Sequence, residues 1–107
     1  MVENAVGARL QVLCQERGMN LFYWRDRQEE VDYIIQRGNE LLAIEVKSSV
    51  ERRGCPSLSS FLLRHKSSRG VVMHESVRRQ KTTYGLPLIE SVSLEEFFKN
   101  PKKSIGL

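Results

Sequence analysis

Cysteine is scarce in this sequence: Cys14 and Cys55 are the only two, and neither belongs to a CxxC pair. Two such thiols make no disulfide scaffold, and structural zinc or dithiol redox sites need sulfur at closer, repeated spacing. No apolar run approaches the roughly 20 residues of a membrane helix. Met1-Val2-Glu3-Asn4 lacks the basic and apolar regions of a signal peptide. A cytoplasmic protein with no membrane association is therefore expected. There is no GxxxxGK[ST] loop, which excludes a P-loop ATPase among these residues. Internal repeats and low-complexity tracts are also missing. The 107 residues make one domain, residues 1–107, with room for a single modest core and none for a second lobe.

What is present is an ordinary globular composition, 40% hydrophobic and 28% charged. Seventeen Lys plus Arg against thirteen Asp plus Glu leave a net charge of +4. That excess favours an anionic partner, nucleic acid being the commonest, although a charge of this size also serves solubility alone. Most of it lies in the second half, at Arg52, Arg53, Arg64, Lys66, Arg69, Arg78, Arg79 and Lys81.

Apolar residues recur at three- and four-residue steps from Val2 to Arg17, and Gly18 follows, which predicts an amphipathic helix with a glycine stop. Leu21–Trp24, Val31–Ile35 and Leu41–Val46 read as three strands. Polar Asp26–Glu29 separates the first two, and Gly38-Asn39 joins the second and third. Arg52–Ser57 is a loop and Leu58–Lys66 a helix. Gly70–Met73 is a short buried strand, and the helix before it is long enough to cross over, so this strand can lie parallel to one of the meander. His74–Tyr84 reads as a mobile loop and Leu86–Ile89 as a last strand. Ser93-Leu94-Glu95-Glu96 has the form of a capping box opening a helix that ends before Pro101. Trp24 and Phe61 are core candidates; His65 and His74 read as surface residues. The expected fold is α/β, a mixed sheet with flanking helices.

The segment with most chemical content is Glu30–Lys47. If Gly38-Asn39 is a two-residue hairpin loop, Arg37 faces Glu40, Asp32 faces Glu45 and Glu30 faces Lys47. Alternation then gathers Glu30, Asp32, Glu45 and Lys47 on one patch of sheet. Opposed carboxylates repel, at a cost in stability that a hard divalent cation offsets. A lysine two residues on can stabilise negative charge developing at phosphorus, or orient an attacking water. A purely structural arrangement accounts for the same residues: Lys47 paired with Glu30, and the two acids screened by water at a strand end.

Asp32 followed by Ile44-Glu45-Val46-Lys47 resembles the D…(D/E)-x-K signature of the PD-(D/E)XK nuclease superfamily, which has the restriction-endonuclease-like fold. Val2-Glu3-Asn4, Phe22-Tyr23-Trp24-Arg25, Glu30-Val31-Asp32 and Ile44–Ser49 are together similar to a nuclease-like C-terminal domain of unknown function, appended to many bacterial and archaeal AAA-type ATPases. Strong motifs run from about Val2 to Ser49 and weak ones to about Phe98. The resemblance implies an αβββαβ core and Mg²⁺ or Mn²⁺ bound by Asp32 and Glu45. It also implies Lys47 as the catalytic lysine and Glu3 as a further acid near the metal; a first-turn Glu complementing the helix dipole is the equal alternative for Glu3. DNA is the expected nucleic acid, with Ser48, Arg78, Arg79 and Lys81 candidates for contacting it. The chain departs from the pattern in two places, having Val31 where the signature has proline and no ATPase module. It then corresponds to a stand-alone relative or to a C-terminal piece of a larger ATPase. The leading expectation is a metal-dependent nuclease-like domain. The alternatives are a catalytically lapsed DNA- or protein-binding module, accessory to an AAA-type ATPase, and an oligomerisation domain for a partner ATPase; a homo-oligomer is a further expectation.

Overall fold

In the computed structural model, residues 2–47, 56–75 and 89–107 are described. Helix α1 (Val2–Arg17) precedes three strands, β1 (Asn20–Asp26), β2 (Glu29–Arg37) and β3 (Glu40–Lys47). Helix α2 (Pro56–Arg64), strands β4 (Ser68–His74) and β5 (Ile89–Ser93), and helices α3 (Leu94–Lys99) and α4 (Pro101–Ser104) follow.

The strands form one sheet in the order β1-β2-β3-β4-β5. The first three run as an antiparallel meander, and β4 and β5 continue it in parallel with β3. Parallel strands need a crossover, and helix α2 with its flanking residues supplies the one from β3 to β4. Helices cover both faces, giving the mixed α/β architecture read from the element order. On one face α1, α3 and the residue capping α4 bury Val6, Leu10, Leu13, Phe97 and Ile105 against Ile35, Ile44, Val71 and Met73. On the other, Leu58, Phe61 and Leu62 of α2 pack on Val31, Ile34, Ala43, Val72 and Ile89. Trp24 joins this second cluster edge-on to Phe61, with ring centroids 5.3 Å apart.

Local chemistry sets the boundaries. Gly18, at φ 66°, ends α1, and the Met19 N–H returns to the Cys14 carbonyl at 2.9 Å, closing a Schellman-type stop. Gly38 at φ 61° turns the β2–β3 hairpin. The register of that hairpin is the expected one, from Arg37↔Glu40 to Tyr33↔Ile44. Ser93 caps α3, its Oγ accepting the Glu96 N–H at 3.1 Å as the capping-box pattern implies.

Several boundaries differ from the sequence reading. Each meander strand is longer than expected, because the tight turn at Arg27-Gln28 needs few residues. Helix α2 begins at Pro56, where a proline is preorganised for the first turn, and it ends at Arg64. Strand β5 covers Ile89–Ser93, its pairing with β4 outweighing the polarity of Glu90, Ser91 and Ser93; residues 86–88 of the expected strand Leu86–Ile89 lie outside the described residues. Pro101 ends α3 as expected but also opens α4. His74 is the last residue of β4, and residues 76–84 of the expected mobile loop lie outside the described residues.

One irregularity bears on function. Phe22 pairs with Ile34 and Trp24 with Val31, so Asp32 and Tyr33 together oppose Tyr23. This extra residue in β2 is a β-bulge. It shifts the side-chain parity of the strand, which is why Val31 and Ile34, three apart, share a core cluster. Beside the bulge, the ring of Tyr33 lies flush on α1 at Gly7, where a Cβ would come within 2.5 Å of Tyr33 Oη.

Gly7→Ala therefore sets two effects against each other. Alanine favours the helix by about 1 kcal/mol, and overpacking costs about 1–3 kcal/mol. Tyr33 packs against the core and its rigid ring has little room to yield, so net destabilisation is expected in urea melts. A more stable variant would show that Tyr33 is not held against α1.

Candidate functional site

β3, β4 and β5 end on one edge of the sheet, where β2 begins. Ligands of open α/β sheets commonly bind beyond the carboxyl ends of the strands. Here the strands carry a group of polar side chains at that edge: Asp32, Glu45, Lys47, His74, Ser91 and Ser93.

Glu45 is buried, with only 6% of its surface exposed. The Lys47 ammonium lies 3.4 Å from Glu45 Oε2, and the Lys47 side chain keeps 31% of its surface in solvent. Alternation along β3 explains the pair, since residues two apart project to the same face. Burying a carboxylate is costly unless a charge or donor meets it, and Lys47 provides the charge.

Asp32 lies at the bulge, just past the point where the β2–β3 ladder ends at Tyr33↔Ile44. Its Oδ2 accepts the Val46 N–H at 2.8 Å. The Asp32 carboxylate thus reaches the peptide directly following Glu45, and does so by bonding to the backbone of β3. Glu30, expected opposite Lys47, instead forms a solvent-exposed ion pair with Arg25 at 3.0 Å, because Arg25 is its partner across the β1–β2 ladder. The structural pairing of Lys47 with Glu30 is thereby replaced by the pairing with Glu45. Glu3 lies in the first turn of α1, one turn before Gly7; its side chain lies outside the described residues. Ser48, Arg78, Arg79 and Lys81 also lie outside them.

The sequence reading of His74 as a surface residue is corrected. His74 is 2% exposed, because β4 runs one residue beyond its apolar stretch and places the ring on the inward face of the sheet. It pairs with Lys47 on one side and with Ser93 on the other. Its Nε2 shares a hydrogen bond with Ser91 Oγ. Nδ1 has no hydrogen-bond partner among the described residues. Burial pushes the imidazole pKa down, so the ring is held neutral. The available signal was parity: Val72 and His74 share a face, and Val72 belongs to a core run. His65 is half-buried, stacked on Phe61 with ring centroids 4.2 Å apart.

Two carboxylates suit a hard cation, since Mg²⁺ is commonly held by one or two carboxylates while retaining several waters. Asp32 keeps Oδ1 beyond its bond to the backbone. Among the described residues, no group of three or more His, Cys, Asp or Glu side chains is placed to hold a metal ion. A cleft of about 460 Å³ lies at the opposite end of the sheet, lined by Arg37, Glu40, Lys66, Ser68 and Arg69 among others, and contains none of these residues.

The fold and site define a mixed α/β domain with a polar cluster at the carboxyl edge of its sheet. The chain belongs to the family described as Domain of unknown function (DUF4143), whose model matches residues 1–95. No curated protein and no solved structure matches the chain. No helix among the described residues is long and apolar enough to cross a membrane.

The neutral His74 sets a pH dependence. Its folded pKa lies below the ordinary histidine value of about 6.5, so the unfolded chain binds a proton where the fold does not. Stability is unaffected by this group above about pH 6.5 and falls as the pH drops below it. Urea midpoints between about pH 7.5 and 5.5 should decline in wild type and flatten in His74→Gln. Equal slopes would mean that the ring ionises as readily in the fold as outside it.

Proposed function

We propose that this chain is a metal-dependent nuclease-like domain that hydrolyses phosphodiester bonds of nucleic acid, with DNA the expected substrate. The observation that carries this reading is the convergence on one short stretch of β3: Asp32 bonded to the Val46 amide and Lys47 paired with the buried Glu45. The net charge of +4 supports an anionic substrate. Asp32 and Glu45 would hold Mg²⁺ or Mn²⁺, with Glu3 as a further acid. The bound ion would polarise a phosphoryl oxygen and lower the pKa of a coordinated water.

The chain's own residues would do the rest. The Val46 amide fixes the orientation of the Asp32 carboxylate, leaving Oδ1 for the ion. Glu45 anchors the Lys47 ammonium at the solvent boundary, where it meets the negative charge that develops as water oxygen bonds to phosphorus and the ester P–O bond breaks. The proton from water ends on the departing alkoxide. Ser48, Arg78, Arg79 and Lys81 are proposed to follow the backbone of the nucleic acid, with affinity that falls as salt rises. A cytoplasmic location, and an AAA-type ATPase as partner or attached module, belong to the same reading.

Melting with metal or chelator and a cleavage assay test it together. Saturating Mn²⁺, at about 100 times Kd, stabilises a single-site protein by about 2.7 kcal/mol, or roughly 10–20 °C for a domain of this size. The double variant Asp32→Asn, Glu45→Gln should lose both the shift and the Mn²⁺-dependent cleavage of DNA. A shift without cleavage favours the catalytically lapsed binding module. Equal shifts in wild type and variant would remove the metal from these residues.

A further inference from the structure

The His74–Ser91 pair is not used by the reading above. Both residues are buried, at 2% and 3% exposure, in a sheet whose other inward positions are almost all apolar. A buried imidazole with one partnered and one unpartnered nitrogen calls for a physical explanation, usually a water, an ion or a functional role. His74 is also the same-rung neighbour of Lys47 across the parallel β3–β4 ladder. Adjacent strands lie about 4.8 Å apart, and residues paired on a rung project to the same face, so the two side chains leave the sheet side by side.

We propose that His74, oriented by Ser91, is a positioning residue for Lys47, its Nδ1 holding one water that bridges to the lysine ammonium. The inference rests on the proposed function only for its consequence in hydrolysis. With the Nε2 hydrogen donated to Ser91 Oγ, Nδ1 carries a lone pair and accepts a hydrogen from the water. The water oxygen in turn accepts an N–H of Lys47. A buried water needs two or more polar partners, and this position offers an imidazole nitrogen and an ammonium, with the Glu45 carboxylate close to the latter. Lys47 is then constrained from two sides, by Glu45 along its own strand and by the water on His74 across the ladder. An ammonium so fixed spends more of its time where charge develops on the substrate.

The two ring nitrogens can be tested separately. In His74→Asn the side-chain amide offers a polar atom near the place of Nδ1 and loses Ser91. In His74→Gln it offers one near Nε2, keeps Ser91 and loses the bridge. Wild type and both variants are compared in Mn²⁺-dependent cleavage of a fluorescent DNA duplex and in thermal melts. Cleavage should fall about 10-fold or more in His74→Gln and clearly less in His74→Asn. Melting temperatures should rank the other way. Cleavage that follows the melting temperatures, or stays at the wild-type rate in both variants, overturns the proposal. A crystal structure of the wild type decides independently of activity. A water within hydrogen-bond distance of both His74 Nδ1 and Lys47 Nζ upholds it, and Nδ1 enclosed by protein atoms alone overturns it. If wild type binds no Mn²⁺ and cuts no DNA, the nuclease reading fails, and the crystal structure alone decides the role of His74.

Discussion

The bond from the Val46 amide to the Asp32 carboxylate sits where two demands meet. A strand pair can diverge only if the backbone groups it releases find other partners, since an unpaired amide away from water is costly. β2 and β3 part after Tyr33 and Ile44, and the Asp32 side chain takes up the Val46 N–H that the ladder leaves behind. The acceptor is charged, which makes this bond stronger than an ordinary rung. Its second effect is positional. The bulge that adds a residue at Asp32 and Tyr33 puts the acid beside β3, and the bond holds it there before any ligand arrives. Divergence of the strands, termination of the ladder and orientation of the acid are therefore one event.

The remainder of the edge follows from the direction of the strands. Parallel strands covered on both faces are usually apolar along their length, and β3 and β4 obey this through Leu42, Ala43, Ile44, Val71, Val72 and Met73. Glu40, Ser68 and Arg69 mark their amino ends, whereas the buried polar residues Glu45 and His74 fall at the carboxyl end with Lys47, together with Ser91 and Ser93 of β5. Scattered, such residues would each weaken the core separately. Gathered, they partner one another, and their cost is confined to the margin of the sheet. Departures from local preference of this kind are expected where a site is built.

The hairpin was legible from the sequence because Gly38-Asn39 has few alternatives as a turn, and a turn of known length sets every rung after it. That inference held from Arg37 to Tyr33. Beyond Tyr33 strict alternation failed, because a bulge leaves no mark in the hydrophobic pattern of one strand and depends on its neighbours. Glu30 consequently faces Arg25 instead of Lys47, and Val31 turns inward. His74 was misread for a related reason. A polar residue after an apolar run looks like a strand end, and only pairing with β3 and β5 shows that the strand continues through it. The continuation of β5 from Ile89 to Ser93 was missed because its polar residues suit a buried polar edge that the sequence alone does not disclose. The general architecture was easier, since its signals, a glycine stop, a tight hairpin and a capping box, are local.

Helices α3 and α4 carry a consequence for where this domain is divided. The family match covers residues 1–95, yet Phe97 and Ile105 are wholly buried against α1 and the sheet. Arg69 of β4 also donates to the carbonyls of Ile105 and Gly106, fastening the last turn to the central strands. Side chains of this kind each contribute about 1.5–3 kcal/mol on burial, a large share of the 5–15 kcal/mol that keeps a small domain folded. The cooperative folding unit therefore extends past the matched stretch by at least ten residues, to Ile105. A boundary drawn at residue 95 would open the α1 face of the core and leave the motifs of β2 and β3 without the packing that supports them.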